Sequence, residues 1–123
     1  AAAILRKADM VEHAAFYNSY LDTISGKITA RENLVLARIA TREMEPEIGF
    51  DEHVVVDMGV KAVSGDGVYL IGKGSDLFLR RITKQMAGGW LIHAPTREPV
   101  VVDTLKGLKA AGKVVMLWRH ITL

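Results

Sequence analysis

The spacing of apolar positions changes period once along the chain, close to residue 26. Residues 2–21 are rich in alanine and other strong helix formers and contain neither Gly nor Pro. Ile4, Leu5, Ala8, Val11, Ala15 and Phe16 recur at the spacing of one helix face, which predicts a helical arm. Ser25-Gly26-Lys27 then reads as a turn or linker. Beyond it the period shortens. Residues 33–40 alternate in part, with Leu34, Leu36 and Ile39 apolar, and the β-branched run Val54-Val55-Val56 predicts a short buried strand. Strands are expected at residues 68–73 and 77–82, joined by a hairpin turn at Gly74-Ser75-Asp76, and at residues 90–93 after the Gly88-Gly89 turn. Residues 99–102 predict another, and residues 113–123 the last and longest. Residues 105–111 read as a short helix or turn before it.

Many short strands punctuated by glycine turns define a mainly β domain of several short twisted strands with an N-terminal helical arm. The arm and linker are expected over residues 1–28 and the β core over residues 29–123. No internal repeat or low-complexity tract is present. A length of 123 residues fits one domain. The absence of cysteine excludes disulfides and thiolate metal sites and favours a reducing compartment. No apolar run approaches the roughly 20 residues needed to span a bilayer. The first residues carry Arg6, Lys7 and Asp9 close behind Ile4-Leu5, unlike a secretory leader. A cytoplasmic protein without membrane partners is the expectation. With 16 basic against 14 acidic residues, the net charge of +2 does not mark this segment as a nucleic-acid binder.

One segment carries a motif. Residues 38–48 read Arg-Ile-Ala-Thr-Arg-Glu-Met-Glu-Pro-Glu-Ile, with Met44, Pro46 and Ile48 at alternate positions. An acidic turn and the strand Val54-Val55-Val56 follow. A hairpin and a strand carrying Arg80-Arg81 come next, and the chain closes on Gly112-Lys113-Val114 through Arg119. This ordered set resembles the C-terminal domain of the LexA and phage CI repressor family, together with the UmuD-type proteins. There a strand leads into Gly-x-Ser-Met-x-Pro-x-Ile/Leu, and a later Val-Lys-Arg strand supplies the lysine. The likeness spans residues 33–123.

In that family the serine before Met attacks the chain's own peptide bond and the lysine takes its proton. The corresponding positions here are Glu43 and Arg80, which stand 37 positions apart, close to the family's interval. Neither can do the work. A Ser–Lys pair needs a lysine made neutral by burial, and a guanidinium is effectively never deprotonated. A carboxylate attacking an amide would form a mixed anhydride. The resemblance therefore implies a degenerate dyad and no catalytic residue. Glu43 and Arg80 are expected to face each other as a bidentate ion pair, or else to line an open groove and solvate it. For a buried pair, removing one partner costs about 3–5 kcal/mol. The Ala-Gly or Cys-Gly dipeptide that self-cleaving relatives carry upstream of the nucleophile is also missing.

Other signals have plainer explanations. Ser64 near Lys61 is the best imitation of a relocated dyad, but serine is expected at a turn. His13, His53, His93 and His120 have no metal-ligand spacing, so no metal or other cofactor is expected. Glu45, Glu47, Asp51 and Glu52 read as a solvated acidic turn rather than a glycosidase pair. Residues 72–75 resemble part of a phosphate loop but lack its frame. The basic groups Arg80, Arg81, Lys84 and Lys106, Lys109, Lys113 read as solvated faces. Val114, Met116 and Trp118 share one strand face by alternation and are candidates for subunit contact or for core. The N-terminal helix is open to the same two readings.

The resemblance implies an oligomerisation and regulatory domain of a phage or prophage-type transcriptional repressor that does not cleave itself. It would act as a homodimer or higher oligomer in a bacterial host cell. Operator DNA would be bound through a separate N-terminal helix-turn-helix domain, with an antirepressor protein as the inducing partner. Two alternatives stand beside it: an active self-cleaving peptidase with an atypical site, and a stand-alone binding domain.

Overall fold

The structure is a computed structural model, and it describes residues 10–12, 28–73 and 75–118. The described strands are β1 (Met10–Glu12), β2 (Leu34–Arg38), β3 (His53–Asp57), β4 (Gly67–Lys73), β5 (Asp76–Lys84), β6 (Trp90–His93), β7 (Val100–Val102) and β8 (Lys109–Trp118). They form one 8-stranded sheet in the order β1-β2-β3-β8-β4-β5-β6-β7, with every neighbouring pair antiparallel. A 3₁₀ turn, Arg31–Asn33, leads into β2. The domain is mainly β, as the alternating pattern and glycine turns require.

Two expectations about element type change. Within the predicted N-terminal helix, Met10–Glu12 is extended and pairs with Glu12 opposite Val35 on the outer edge of β2. An open strand edge offers a row of backbone partners, and satisfying them outweighs the weak helix preference of three residues. The rest of residues 2–21, like the linker residues 25–27, lies outside the described residues. The second change concerns residues 105–111, read as a helix or turn. From Lys109 onward they belong to β8, because β4 and β3 both need a partner there: Gly72 pairs with Lys109 and Asp57 with Lys113.

Alternation along β3 sets out the core. Val54 and Val56 face one side, where they pack with Ala37, Ile39, Met44, Ile48, Leu70 and Leu79. Val55 faces the other side, with Leu34 and the half-buried Leu36, Met116 and Trp118. Further along the sheet, Tyr69, Ile71 and Ile82 form a third cluster, covered by Val60, Val63, Leu105 and Leu108 from the connecting segments. All three central valines are thus buried, as expected of a strand inside a sheet covered on both faces. The turn before β6 depends on glycine. Gly88 and Gly89 have φ of 104° and 81°, and a Cβ on Gly89 would stand 2.7 Å from the Val102 carbonyl oxygen.

β8 carries two bulges, and they overturn one sequence expectation. Met116 pairs with Val55 while Val114 pairs with Val56, so Val115 is an extra residue. The bulge breaks the alternation. Val114 packs against the Val54–Val56 side, and Met116 and Trp118 pack on the opposite side. The three do not share a face. β8 also lies between β3 and β4, so neither of its edges is open.

Candidate functional site at the 39–52 loop

The segment between β2 and β3 is pinched at its base. Ile39 N donates to Glu52 O at 2.9 Å, and Asp51 N donates to Ile39 O at 2.8 Å. Inside this loop Met44 and Ile48 lie one helical turn apart, with Ile48 N donating to Met44 O at 2.9 Å. Both side chains are buried, at 0% and 3% exposure, and together they cap the core over β3, β4 and β5. Burying such a side chain stabilises by about 1.5–3 kcal/mol. Pro46 follows a cis peptide bond and lies exposed at the loop's tip. Two of the motif's three residues are therefore core anchors.

The anchoring aims the loop's carboxylates outward. Glu43 and Glu47, also four apart, meet the adjacent Arg80 and Arg81 of β5. Arg80 Nη1 donates to Glu43 Oε2 at 3.1 Å. Arg81 Nε donates to Glu47 Oε1 at 2.8 Å, and its Nη2 bonds the same oxygen. Consecutive strand residues project to opposite faces, so the two arginines grip the loop from both sides of β5. The remaining loop acids are engaged as well. Arg42 bonds Glu45 and stacks over Phe50 at 4.8 Å, Arg38 bonds Asp51 at 2.8 Å, and Glu52 accepts from Gly49 N. The acidic run is a set of individual pairs on a solvated loop, with the Asp51 side chain 63% exposed.

Glu43 is the centre of a larger cluster. Its second carboxylate oxygen, Oε1, takes Arg97 Nη2 at 2.6 Å, and its backbone carbonyl accepts from Thr96 Oγ1 at 2.8 Å. Its backbone N–H donates to Thr41 Oγ1 at 3.3 Å. Arg80 is tied to the strand by a 2.6 Å bond from Nη1 to the Leu79 carbonyl, and its guanidinium carbon lies 5.4 Å from the Phe78 ring. The Glu43–Arg80 contact runs through one guanidinium nitrogen rather than the expected fork, because Arg97 occupies the other carboxylate oxygen. Burial pushes the Glu43 carboxyl upward. Hydrogen bonds and charge from Arg80, then Arg97, outweigh it and leave the group below its usual value. Glu43 is thus held as a carboxylate between two permanent cations.

Sequence reading missed Arg97. It lies in the turn after β6, where Arg97 N donates to Ala94 O at 3.0 Å, and no local pattern links it to Glu43. A second missed feature is Asp57, 0% exposed at the end of β3. Its carboxylate accepts from Thr29 N at 2.8 Å, Thr29 Oγ1 at 2.7 Å and Gly59 N at 2.9 Å. The polar residue closing an apolar strand run was the available signal. His53 and His93 belong to no group of metal-ligating side chains among the described residues. His13 and His120 lie outside them. Among the described residues no helix is long and apolar enough to cross a membrane.

No protein-family model matches the sequence, and comparison with curated proteins finds no match.

Proposed function

We propose that this domain is the regulatory and oligomerisation core of a phage or prophage-type transcriptional repressor that does not cleave itself. The observation that carries the reading is the contact between Glu43 and Arg80. The two positions that resemble a Ser–Lys dyad lie 3.1 Å apart, and they hold a carboxylate and a guanidinium. The guanidinium at the lysine position is never deprotonated and so takes no proton, and the carboxylate at the serine position replaces the hydroxyl that would attack. Arg97 holds the second carboxylate oxygen, so both oxygens of Glu43 are engaged. The motif's apolar residues keep a structural use, since Met44 and Ile48 seat the loop in the core.

In this reading the domain joins repressor subunits and raises operator affinity through effective concentration, while a preceding helix-turn-helix domain binds the DNA. Induction then comes from a protein that binds this domain. Incubation of the full-length product of the gene at alkaline pH, with and without an activated recombinase filament, tests the loss of chemistry. The expected result is one intact chain under both conditions, and two discrete fragments overturn the reading. Sedimentation of the same protein tests association, and a strict monomer at high concentration removes the oligomerisation role.

A further inference from the structure

The Glu43 cluster is not electrically balanced. Two guanidinium groups share one carboxylate, so one positive charge has no counter-ion within the cluster. The Arg97 side chain is 62% exposed and is hydrated. The Arg80 side chain is only 18% exposed. A guanidinium has five N–H donors. Both hydrogen bonds of Arg80, to Glu43 Oε2 and to the Leu79 carbonyl, run through Nη1. Among the described residues, Nε and Nη2 donate to no protein acceptor.

Arg80 also lines a cleft of about 450 Å³. The other side chains of its wall are Ile71, Phe78, Ile92 and Leu108, and among the described residues that line it Arg80 is the only charged one. The sheet register builds this wall. Ile71 lies opposite Phe78, and Tyr69 lies opposite Arg80, which places Phe78 and Arg80 on one face of β5. Ile92 joins them from β6, where it lies opposite Ile82. Leu108 closes the cleft from the turn before β8.

An apolar cleft with one under-used guanidinium selects a ligand that has an apolar body and a single anionic group. The cleft opens to the surface, which suits a side chain presented by a backbone lying outside it. We propose that it docks a segment of a partner protein in which a large aliphatic side chain stands beside an aspartate or glutamate. The aliphatic group packs on Ile71, Phe78, Ile92 and Leu108. The carboxylate takes Nε and Nη2 of Arg80 and supplies the missing counter-ion. This inference rests on the reading of the domain as a regulatory module with a protein inducer, and it names the chemistry of that partner.

The test is a titration of the isotope-labelled chain with the capped pentapeptide Ser-Leu-Glu-Leu-Ser, followed by amide chemical shifts. Saturable shifts centred on Ile71, Phe78, Ile92 and Leu108 are expected. The counterpart with Gln in place of Glu binds about tenfold more weakly, the size of one charge-assisted bond. Arg80→Lys keeps the charge but loses the planar fork, and binding falls several-fold. Leu108→Ala leaves the ion cluster untouched and also weakens binding, which separates loss of the cleft from loss of the fold. Equal binding of the Glu and Gln peptides, shifts centred elsewhere, or no saturable shift overturns the proposal. Failure of the non-cleaving reading shows instead as fragments in the cleavage assay, so the two failures are distinguishable.

Discussion

Asp57 and Glu43 are two carboxylates withdrawn from water in the same sheet, and they are held in opposite ways. Asp57 is fully buried, and its described partners are neutral: two backbone N–H groups and one hydroxyl. Its bonds fasten the segment leading into β2 onto the end of β3, and Asn33 adds a 2.8 Å bond to Thr29. Glu43 is 16% exposed and is held by two guanidinium groups, one of them largely in solvent. The neutral arrangement is short-range and insensitive to salt. The ionic one depends on long flexible side chains and is open to screening and to competing anions. A neutral latch and an ionic cluster therefore place different demands on the same functional group.

Removing the latch has the largest expected effect. Asp57→Ala removes the shared acceptor of Thr29 N, Thr29 Oγ1 and Gly59 N and lowers stability by about 3–4 kcal/mol, read from denaturant midpoints. A loss below about 1 kcal/mol would show that the latch contributes little. Next comes Gly59→Ala. The new methyl would stand 2.2 Å from Thr29 Oγ1 and 2.5 Å from Asn33 Nδ2, so the latch must open, at a cost of about 2–3 kcal/mol. The accompanying change is faster proteolysis in the segment before β2.

Glu43→Ala is expected to cost about 1–3 kcal/mol, less than a fully buried pair, because one of its two cations is exposed. The same site gives a pH signature. The folded pKa of Glu43 lies below its usual value of 4.5, so its contribution is complete above that value and is lost as pH falls through the folded pKa. Glu43→Gln should flatten the acid limb of the stability curve below about pH 4.5, whereas an unchanged limb contradicts the ion cluster. The smallest effect belongs to Arg97→Ala, below about 1 kcal/mol. That difference should vanish in 1 M salt, while the Asp57→Ala difference persists.

Much of this architecture was legible as pattern. Period-two apolar runs and glycine turns located β2 to β7, because alternation and turn chemistry are local properties of the chain. The positions of Met44 and Ile48 could be read as a motif, and the meeting of Glu43 with Arg80 could be expected from their complementary charges. Face assignments on β8 could not. Alternation placed Val114 with Met116, and a bulge that exists only because β3 pairs there separated them. The start of β8 was misread for the same reason, since Lys109 is held by pairing with β4 rather than by its own preference.

The sequence by itself determined the β class and the strand-and-turn order of the core. These follow from residue type and near-neighbour spacing. The tertiary structure decided which carboxylates are buried, that Arg97 joins Glu43, and that two Arg80 nitrogens beside an apolar cleft have no acceptor among the described residues. Those are meetings between segments far apart in the chain, where burial and charge depend on the packed neighbours rather than on the residues alongside.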